Sequence, residues 1–213
     1  MKSLILIGGP TACGKSTLVK SLNQSISGSV VYRRQQGFFD IAEQKKIPRD
    51  EIYSKVSSNE VDDWFVNICK KSSIVISDVH YAIQMSRNGI NKNSNIDIHQ
   101  EYVATISQNL LNKLFINDIN VMAIYLYCSP HSCLVRAAAR YEINQKDVRN
   151  ISVEDAIIET YSEEKEWNNI ISTNMVDGLK LNSELLSTKE LTDQCLEYLE
   201  KANEKSSKEM ILH

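Results

Sequence analysis

Apolar residues form five short runs that are separated by segments with helical periodicity. The runs lie at residues 4–7, 29–32, 74–76, 121–127 and 179–181. Between them, apolar residues recur at spacings of three and four, as at Val61, Trp64, Phe65 and Ile68, which is the period of a helix with one buried face. Short strands that alternate with helices predict an α/β fold, in which a five-stranded parallel sheet carries helices on both faces.

Several helix starts are marked by capping residues. Proline follows Ser129, and the pairs Ser152/Asp155 and Ser187/Glu190 have the spacing of a capping box. Apolar periodicity predicts a further helix over residues 103–114. The acidic stretch at residues 163–166 is interpreted as an exposed helix face, and residues 33–55 and 85–95 as mobile loops or small helical inserts.

Composition and charge limit the class of protein. Of the 213 residues, 42% are hydrophobic and 24% are charged, with only 7 Gly and 3 Pro, which is typical of a soluble globular chain and excludes a collagen-like or low-complexity one. The net charge is −3 and the pI is near 5.9. A bulk basic surface is therefore excluded, which argues against nucleic acid or an anionic membrane as partner.

The cysteines and the N-terminus indicate a compartment. Five cysteines without a C-x-x-C pair form neither a plausible disulfide framework nor a metal-ligand pattern, so we interpret them as reduced thiols. The apolar run at residues 4–7 is too short for a signal peptide, and no run approaches the ~18 apolar residues of a membrane-spanning helix. We expect a cytoplasmic protein.

The most specific motif is GPTACGKS at residues 9–16, which matches G-x-x-x-x-G-K-[ST] at every fixed position. It lies between the first predicted strand and a predicted helix, so that backbone N–H groups and the positive end of the helix dipole face a bound phosphate. Lys15 is expected to bind the β- and γ-phosphates and Ser16 to ligate Mg²⁺. The loop residues expected to bind the nucleotide are Gly9, Thr11, Ala12, Cys13, Gly14, Lys15, Ser16 and Thr17.

An acidic residue follows the third predicted strand. The run at residues 73–76 carries Asp78 to the carboxyl end of that strand, where a phosphate-binding loop requires an acid that holds or orients Mg²⁺. We interpret Asp78 as this acid. The alternative is that Asp78 only ends the strand or caps a helix.

These features together resemble the P-loop kinases of the nucleoside monophosphate kinase and small-molecule kinase group. The resemblance rests on residues 9–16, Asp78, the helix at residues 134–140 and the strand-to-helix passage at residues 178–187. It implies the three-layer P-loop NTPase fold with a small lid or insert region, ATP and Mg²⁺ as cofactors, and Asn182 and Ser183 beside the adenine base.

The chain departs from two members of that group. Adenylate kinases have Asp-Gly-Phe/Tyr-Pro-Arg after the third strand, where this chain has Asp78 followed by Val79, His80, Tyr81 and Ala82. The S-x-T-T-R pattern of guanylate kinases is absent. Neither substrate assignment can be transferred to this chain.

Two arginines are candidates for charge neutralisation during transfer. Arg136 and Arg140 are four residues apart and would share one face of a helix. A guanidinium pairs with two phosphate oxygens at once, and members of the kinase group carry arginines in a lid at this position, so we expect both to be catalytic. The alternative is a solvated helix face with ordinary ion pairs.

Two segments are candidates for the acceptor site, because ligands of open α/β sheets bind at the carboxyl ends of the strands. After the second strand, Arg33 and Arg34 suit an anionic acceptor, whereas Asp40 suits a hydroxyl acceptor as its general base. After the third strand, His80 would position the acceptor or take its proton, and Arg87 follows. For each of these residues a purely structural role is the alternative.

The expected organisation is one domain. Residues 1–202 would form a single P-loop kinase-like domain with a lid at about 136–152 and an acceptor-binding insert at about 33–60. Residues 203–213, rich in lysine and serine in their first half, would form a flexible tail.

The expected function is an ATP- and Mg²⁺-dependent transfer of the γ-phosphoryl group to a small acceptor, such as a nucleotide, a nucleoside or another hydroxyl or phosphate metabolite. The alternatives are an ATPase that couples hydrolysis to a macromolecular partner and a non-catalytic binding module. A regulatory GTPase is disfavoured, since residues 91–94 lack the acid of N-K-x-D and Tyr81 replaces the glycine of D-x-x-G. The acceptor and the oligomeric state stay open.

Overall fold

A computed structural model describes residues 2–84, 102–143, 152–173 and 176–211, with the backbone alone at 84, 141–143 and 203–211. Strands and helices alternate along most of the chain. The strands are β1 (Lys2–Gly8), β2 (Ser29–Val31), β3 (Ile74–Asp78), β4 (Ala82–Gln84), β5 (Tyr102–Ala104), β6 (Ile119–Tyr127) and β7 (Asp177–Asn182). The helices are α1 (Lys15–Ser25), α2 (Gln36–Lys45), α3 (Ile52–Lys55), α4 (Ser58–Lys71), α5 (Gln108–Ile116), α6 (Pro130–Ile143), α7 (Val153–Ile171) and α8 (Thr188–Ile211).

Five strands form one parallel sheet in the order β2-β3-β1-β6-β7. The central strand β1 pairs with β3 on one side and β6 on the other. Because the chain leaves β1 toward β2 on one side and later crosses to β6 on the other, a crevice opens at the carboxyl end of β1. The register that places Ile7 opposite Asp78 brings Asp78 to this crevice.

Alternate residues of the central strand pack on opposite faces of the sheet. Leu4 and Leu6 face a core that also contains apolar residues of α4, α5 and α7. Ile5 and Ile7 face a second core with residues of α1, α6 and α8. This three-layer arrangement confirms the predicted fold class.

The predicted insert has a core of its own. Residues 33–60 include α2, a 3-10 turn at Arg49–Glu51, α3 and the start of α4, and Ile41, Ile52 and Val56 are buried together with Val61. A capping box of Ser57 and Glu60 begins α4. The segment is therefore helical, which is one of the two structures that its irregular sequence allowed.

The structure differs from the sequence expectations in three places. Residues 103–114 do not form one helix, because β5 pairs with β4 in a two-stranded antiparallel sheet before α5 begins. Glu163, expected on an exposed helix face, is wholly buried. Helix α8 continues to Ile211 and so covers most of the segment expected as a tail.

All five cysteines are free and buried. Within the described ranges, no helix combines the length and the apolar composition that crossing a membrane requires.

Candidate active site

The loop between β1 and α1 has a backbone that depends on glycine. Gly9 has φ 140°, and a Cβ there would lie 2.1 Å from the carbonyl oxygen of Leu126. Gly14 has φ 103° and precedes the first residue of α1, Lys15. Both glycines therefore adopt a conformation that side-chain-bearing residues rarely reach, and the loop wraps at the N-terminal end of α1, where N–H groups point outward.

The ammonium group of Lys15 is fixed on the edge of this loop. Its Nζ donates hydrogen bonds to the carbonyl oxygens of Gly9 at 2.6 Å and Pro10 at 2.9 Å. These contacts hold a positive charge over the concave side of the loop. Burial raises the pKa of the Cys13 thiol in the same loop to about 11, so Cys13 stays neutral and acts as a small buried spacer.

Tyr81 packs against Gly8, the last residue of β1 before the loop. Its ring is wholly buried, and a Cβ on Gly8 would lie 2.2 Å from the Tyr81 ring. The phenol oxygen donates to the carbonyl oxygens of Leu6 at 3.2 Å and Ile124 at 3.0 Å. Tyr81 therefore joins β1 to β6 just before the phosphate-binding loop begins.

The structure brings Ser16 and Asp78 together, as the motif predicts. The Ser16 hydroxyl donates to a carboxylate oxygen of Asp78 at 3.2 Å. Arg33 also binds Asp78 with two nitrogens, at 2.5 and 2.7 Å. The Asp78 side chain is 10% exposed, so this ion pair lies partly out of water at the mouth of the crevice.

The other residues expected after β2 have structural partners. Arg34 pairs with Asp62 at 2.6 Å, and their side chains are 15% and 5% exposed. Asp40 accepts hydrogen bonds from the Tyr32 hydroxyl and from Gln36. The Tyr32 pKa is raised by burial and by the Asp40 carboxylate, so its phenol remains the donor of that bond.

A cavity of about 250 Å³ lies between the loop, α1, α6 and the beginning of α8. Arg136 and Arg140 of α6 both line it, which places them on one helix face as expected. Arg136 donates to the hydroxyl and carbonyl oxygens of Ser183 at 3.1 and 2.7 Å. The neighbouring Asn182 ends β7 and accepts from the backbone of Glu184. The remaining lining residues come from the loop, α1, the turn before α8 and the start of α8: Ala12, Cys13, Gly14, Thr17, Leu18, Leu186, Thr188 and Leu191.

Sequence reasoning missed a cluster that α7 brings to the phosphate-binding loop. His80 Nδ1 lies 2.6 Å from Glu163 and 3.8 Å from Glu159. The second oxygen of Glu163 accepts from the backbone N–H of Tyr81 at 2.6 Å. Glu159 accepts from both the backbone N–H and the hydroxyl of Thr11, at 2.9 and 2.7 Å. We call His80, Glu159 and Glu163 the α7 cluster.

Two features of α7 would have allowed this cluster to be predicted. Glu163 lies four residues before the buried Trp167 and seven after the buried Ala156, so it falls on the apolar face of the helix. Glu159 lies one turn earlier on the same side. Burial raises the pKa of Glu163, an effect that the hydrogen bond from His80 opposes.

Two sequence predictions fall on positions that the structure does not cover. Arg87, expected to bind the acceptor, lies outside the described residues, as do positions 144–151 of the predicted lid. The described part of that lid is the end of α6 with Arg136 and Arg140, together with Ser152, which caps α7.

Several solved structures share this architecture. The tunicamycin resistance protein of Deinococcus radiodurans matches with a TM-score of 0.57 and 13% identity, over 93% of this chain and 96% of that one. A deoxyadenosine kinase from M. mycoides with bound dATP matches with a TM-score of 0.53 and 14% identity, over 93% and 99%. Shikimate kinase from Acinetobacter baumannii matches with a TM-score of 0.51 and 12% identity, over 95% and 94%.

No protein-family model and no curated protein matches the sequence. The structural matches therefore show the fold. The chain has the three-layer α/β fold of the P-loop small-molecule kinases, with a complete phosphate-binding loop at the carboxyl end of its central strand.

Proposed function

We propose that the protein is an ATP- and Mg²⁺-dependent phosphotransferase that moves the γ-phosphoryl group to a small acceptor. The observation that carries the proposal is the phosphate-binding loop, in which Lys15 is anchored on the loop carbonyls and Ser16 lies against Asp78. This arrangement offers backbone donors, one ammonium and a hydroxyl–carboxylate pair to a triphosphate.

The cavity beside the loop suits the nucleoside half of ATP. It shares Gly14 and Thr17 with the phosphate-binding loop and the start of α1, so a phosphate chain on the loop would place its ribose and base there. Arg136 and Ser183 border this space, with Asn182 just before Ser183. The similarity to a deoxyadenosine kinase with bound dATP supports an adenine nucleotide.

Ser16 and Asp78 fit a magnesium ion by their chemistry. A hydroxyl and a carboxylate are the oxygen donors that Mg²⁺ prefers, and the two groups lie 3.2 Å apart. Arg33 binds both oxygens of Asp78, and Oδ2 also accepts from Ser16, so Oδ1 is the oxygen that keeps a further lone pair. When bound, Mg²⁺ supplies positive charge to the β- and γ-phosphates.

The residues of the chain provide positioning and charge rather than covalent chemistry. Lys15 and the loop N–H groups neutralise the phosphate oxygens, and Arg136 and Arg140 stand at the predicted lid, from which they would close over the nucleotide. Closure excludes water, so transfer to the acceptor is favoured over hydrolysis.

Five free thiols support a reducing compartment such as the cytoplasm.

The test compares Lys15→Ala with Lys20→Ala, an exposed lysine of α1. ADP release is measured with Mg²⁺-ATP and a panel of nucleosides, nucleoside monophosphates, sugar acids and hydroxylated antibiotics. Removal of one preorganised donor to the transferring group lowers turnover by roughly 10² to 10³, so we expect such a loss for Lys15→Ala and none for Lys20→Ala. Wild-type turnover by a folded Lys15→Ala variant would refute the assignment.

A further inference from the structure

The arginines of the acceptor insert are already neutralised. Arg33 binds Asp78 with two nitrogens, and Arg34 binds Asp62 at 2.6 Å. The Arg34 and Asp62 side chains are 15% and 5% exposed, so separating them would leave a buried unpaired charge, which is unfavourable. The Arg34 guanidinium is therefore not available to hold an anionic acceptor, and Arg33, whose side chain is 58% exposed, already has both oxygens of Asp78 as its partners.

Beside the crevice, three described carboxylates are bound by neither arginine nor lysine. Asp40 is held by the neutral donors Tyr32 and Gln36. Glu159 is held by the neutral donors of Thr11, and Glu163 by His80 and a backbone N–H. A phosphate monoester adds about −1.5 to −2 charges at neutral pH. Like charges at close range repel, so this side of the site disfavours such an acceptor.

Glu159 lies next to the position of the transferring group. Thr11, which it binds through two hydrogen bonds, belongs to the phosphate-binding loop. The Glu159 side chain is 14% exposed, so most of it is shielded from water while part of it remains accessible from the crevice. A carboxylate there is placed to accept a hydrogen bond from a hydroxyl group that approaches the γ-phosphate.

His80 has a fixed orientation at the same edge. When Glu163 is ionised it can only accept, and the hydrogen bond between the two residues then has its hydrogen on Nδ1 of His80. Nε2 is then the free ring nitrogen, and the side chain is 30% exposed. Glu163, which is 0% exposed, is a positioning residue that holds the imidazole against the crevice.

We propose, on the basis of the proposed function, that the acceptor is an uncharged or cationic alcohol whose hydroxyl group binds at the α7 cluster. Glu159 accepts the hydrogen bond of this hydroxyl and His80 Nε2 contacts the same polar region of the acceptor. The acceptor oxygen forms a bond to the γ-phosphorus as the bond from that phosphorus to the β–γ bridging oxygen breaks. The hydroxyl proton passes to Glu159, ADP leaves, and the product is a phosphate ester.

The experiment follows the label of γ-labelled ATP with Mg²⁺ into three groups of acceptors. The first contains nucleosides, chloramphenicol and aminocyclitol antibiotics, the second nucleoside monophosphates, and the third gluconate and shikimate. Label in a member of the first group is the expected result. Label chiefly in a phosphate- or carboxylate-bearing acceptor would overturn this inference and leave the proposed phosphotransferase intact.

Glu159→Gln tests the named carboxylate, with Glu154→Gln on the exposed first turn of α7 as its control. Loss of a positioned proton acceptor lowers turnover by about 10² to 10⁴. We expect this loss in kcat for Glu159→Gln, with KM for ATP and the melting temperature unchanged, and no loss for the control. Unchanged kcat would overturn the role of Glu159.

Water serves as the smallest neutral acceptor if no compound of the panel is labelled. Basal release of labelled phosphate should then fall at least tenfold in Glu159→Gln and stay unchanged in Glu154→Gln, and an equal rate in both variants would overturn the inference. A wild-type protein that neither transfers nor hydrolyses overturns the proposed function and this inference together.

Discussion

Replacing Tyr81 by phenylalanine isolates the hydroxyl that joins two strands below the phosphate-binding loop. The Tyr81 ring stays, so no large cavity forms, and only the bonds to the carbonyl oxygens of Leu6 and Ile124 are lost. Burial holds the pKa of Tyr81 well above its ordinary value of 10. The phenol is therefore a hydrogen donor throughout the usual pH range.

The expected effect is that of one hydrogen bond. The phenol has a single hydrogen, which the two carbonyl oxygens share, so the bonds count once. A buried hydrogen bond contributes about 0.5 to 1.5 kcal/mol, and we expect the free energy of unfolding to fall by about 1 kcal/mol. For a chain of this size the melting temperature then falls by roughly 2–4 °C.

Thermal and urea unfolding of the variants measure this effect. Tyr125→Phe is a matched control, because its hydroxyl donates one part-buried hydrogen bond to the carbonyl oxygen of Thr160 at 3.1 Å. We expect Tyr125→Phe to lose less than Tyr81→Phe. If Tyr81→Phe melts at the wild-type temperature, or if the control loses more, the reasoning about the joined strands is refuted.

Two further predictions concern the loop and the α7 cluster. Gly9→Ala places a Cβ 2.1 Å from the Leu126 carbonyl at φ 140°, so titration calorimetry should show at least tenfold weaker ATP binding, and wild-type affinity would contradict the loop geometry. Because burial raises the pKa of Glu163 above 4.5, the folded state binds more protons than the unfolded state, and the Glu163 contribution to stability falls as pH rises from about 4.5 through the folded pKa. Glu163→Gln should remove this part of the pH dependence. If the free energy of unfolding, measured with urea, changes with pH equally in the wild type and the variant, burial does not raise the pKa of Glu163 as stated.

The parts of the site that the sequence predicted depend on local pattern. The phosphate-binding loop follows from eight consecutive residues between a strand and a helix. Asp78 follows from the end of an apolar run, and the parallel register with β1 then brings it to Ser16. Both features follow from the neighbouring residues along the chain and from the general geometry of parallel sheets.

The rest depends on contacts between distant segments. Glu163 contacts residues more than eighty positions earlier, and its burial follows from how α7 packs on the sheet. Arg33 has a carboxylate partner 45 positions away. The β4–β5 pair was missed because strands of three residues carry too little periodicity to be distinguished from a helix.

The most direct test of the central claim is the fate of the γ-phosphoryl group. Purified protein is incubated with γ-labelled ATP and Mg²⁺, with and without the acceptor panel, and the products are separated. We expect label in one acceptor, with a matching release of ADP that Lys15→Ala lowers by roughly 10² to 10³. Label found only in inorganic phosphate, at a rate that neither the acceptors nor Glu159→Gln changes, would contradict a small-molecule phosphotransferase.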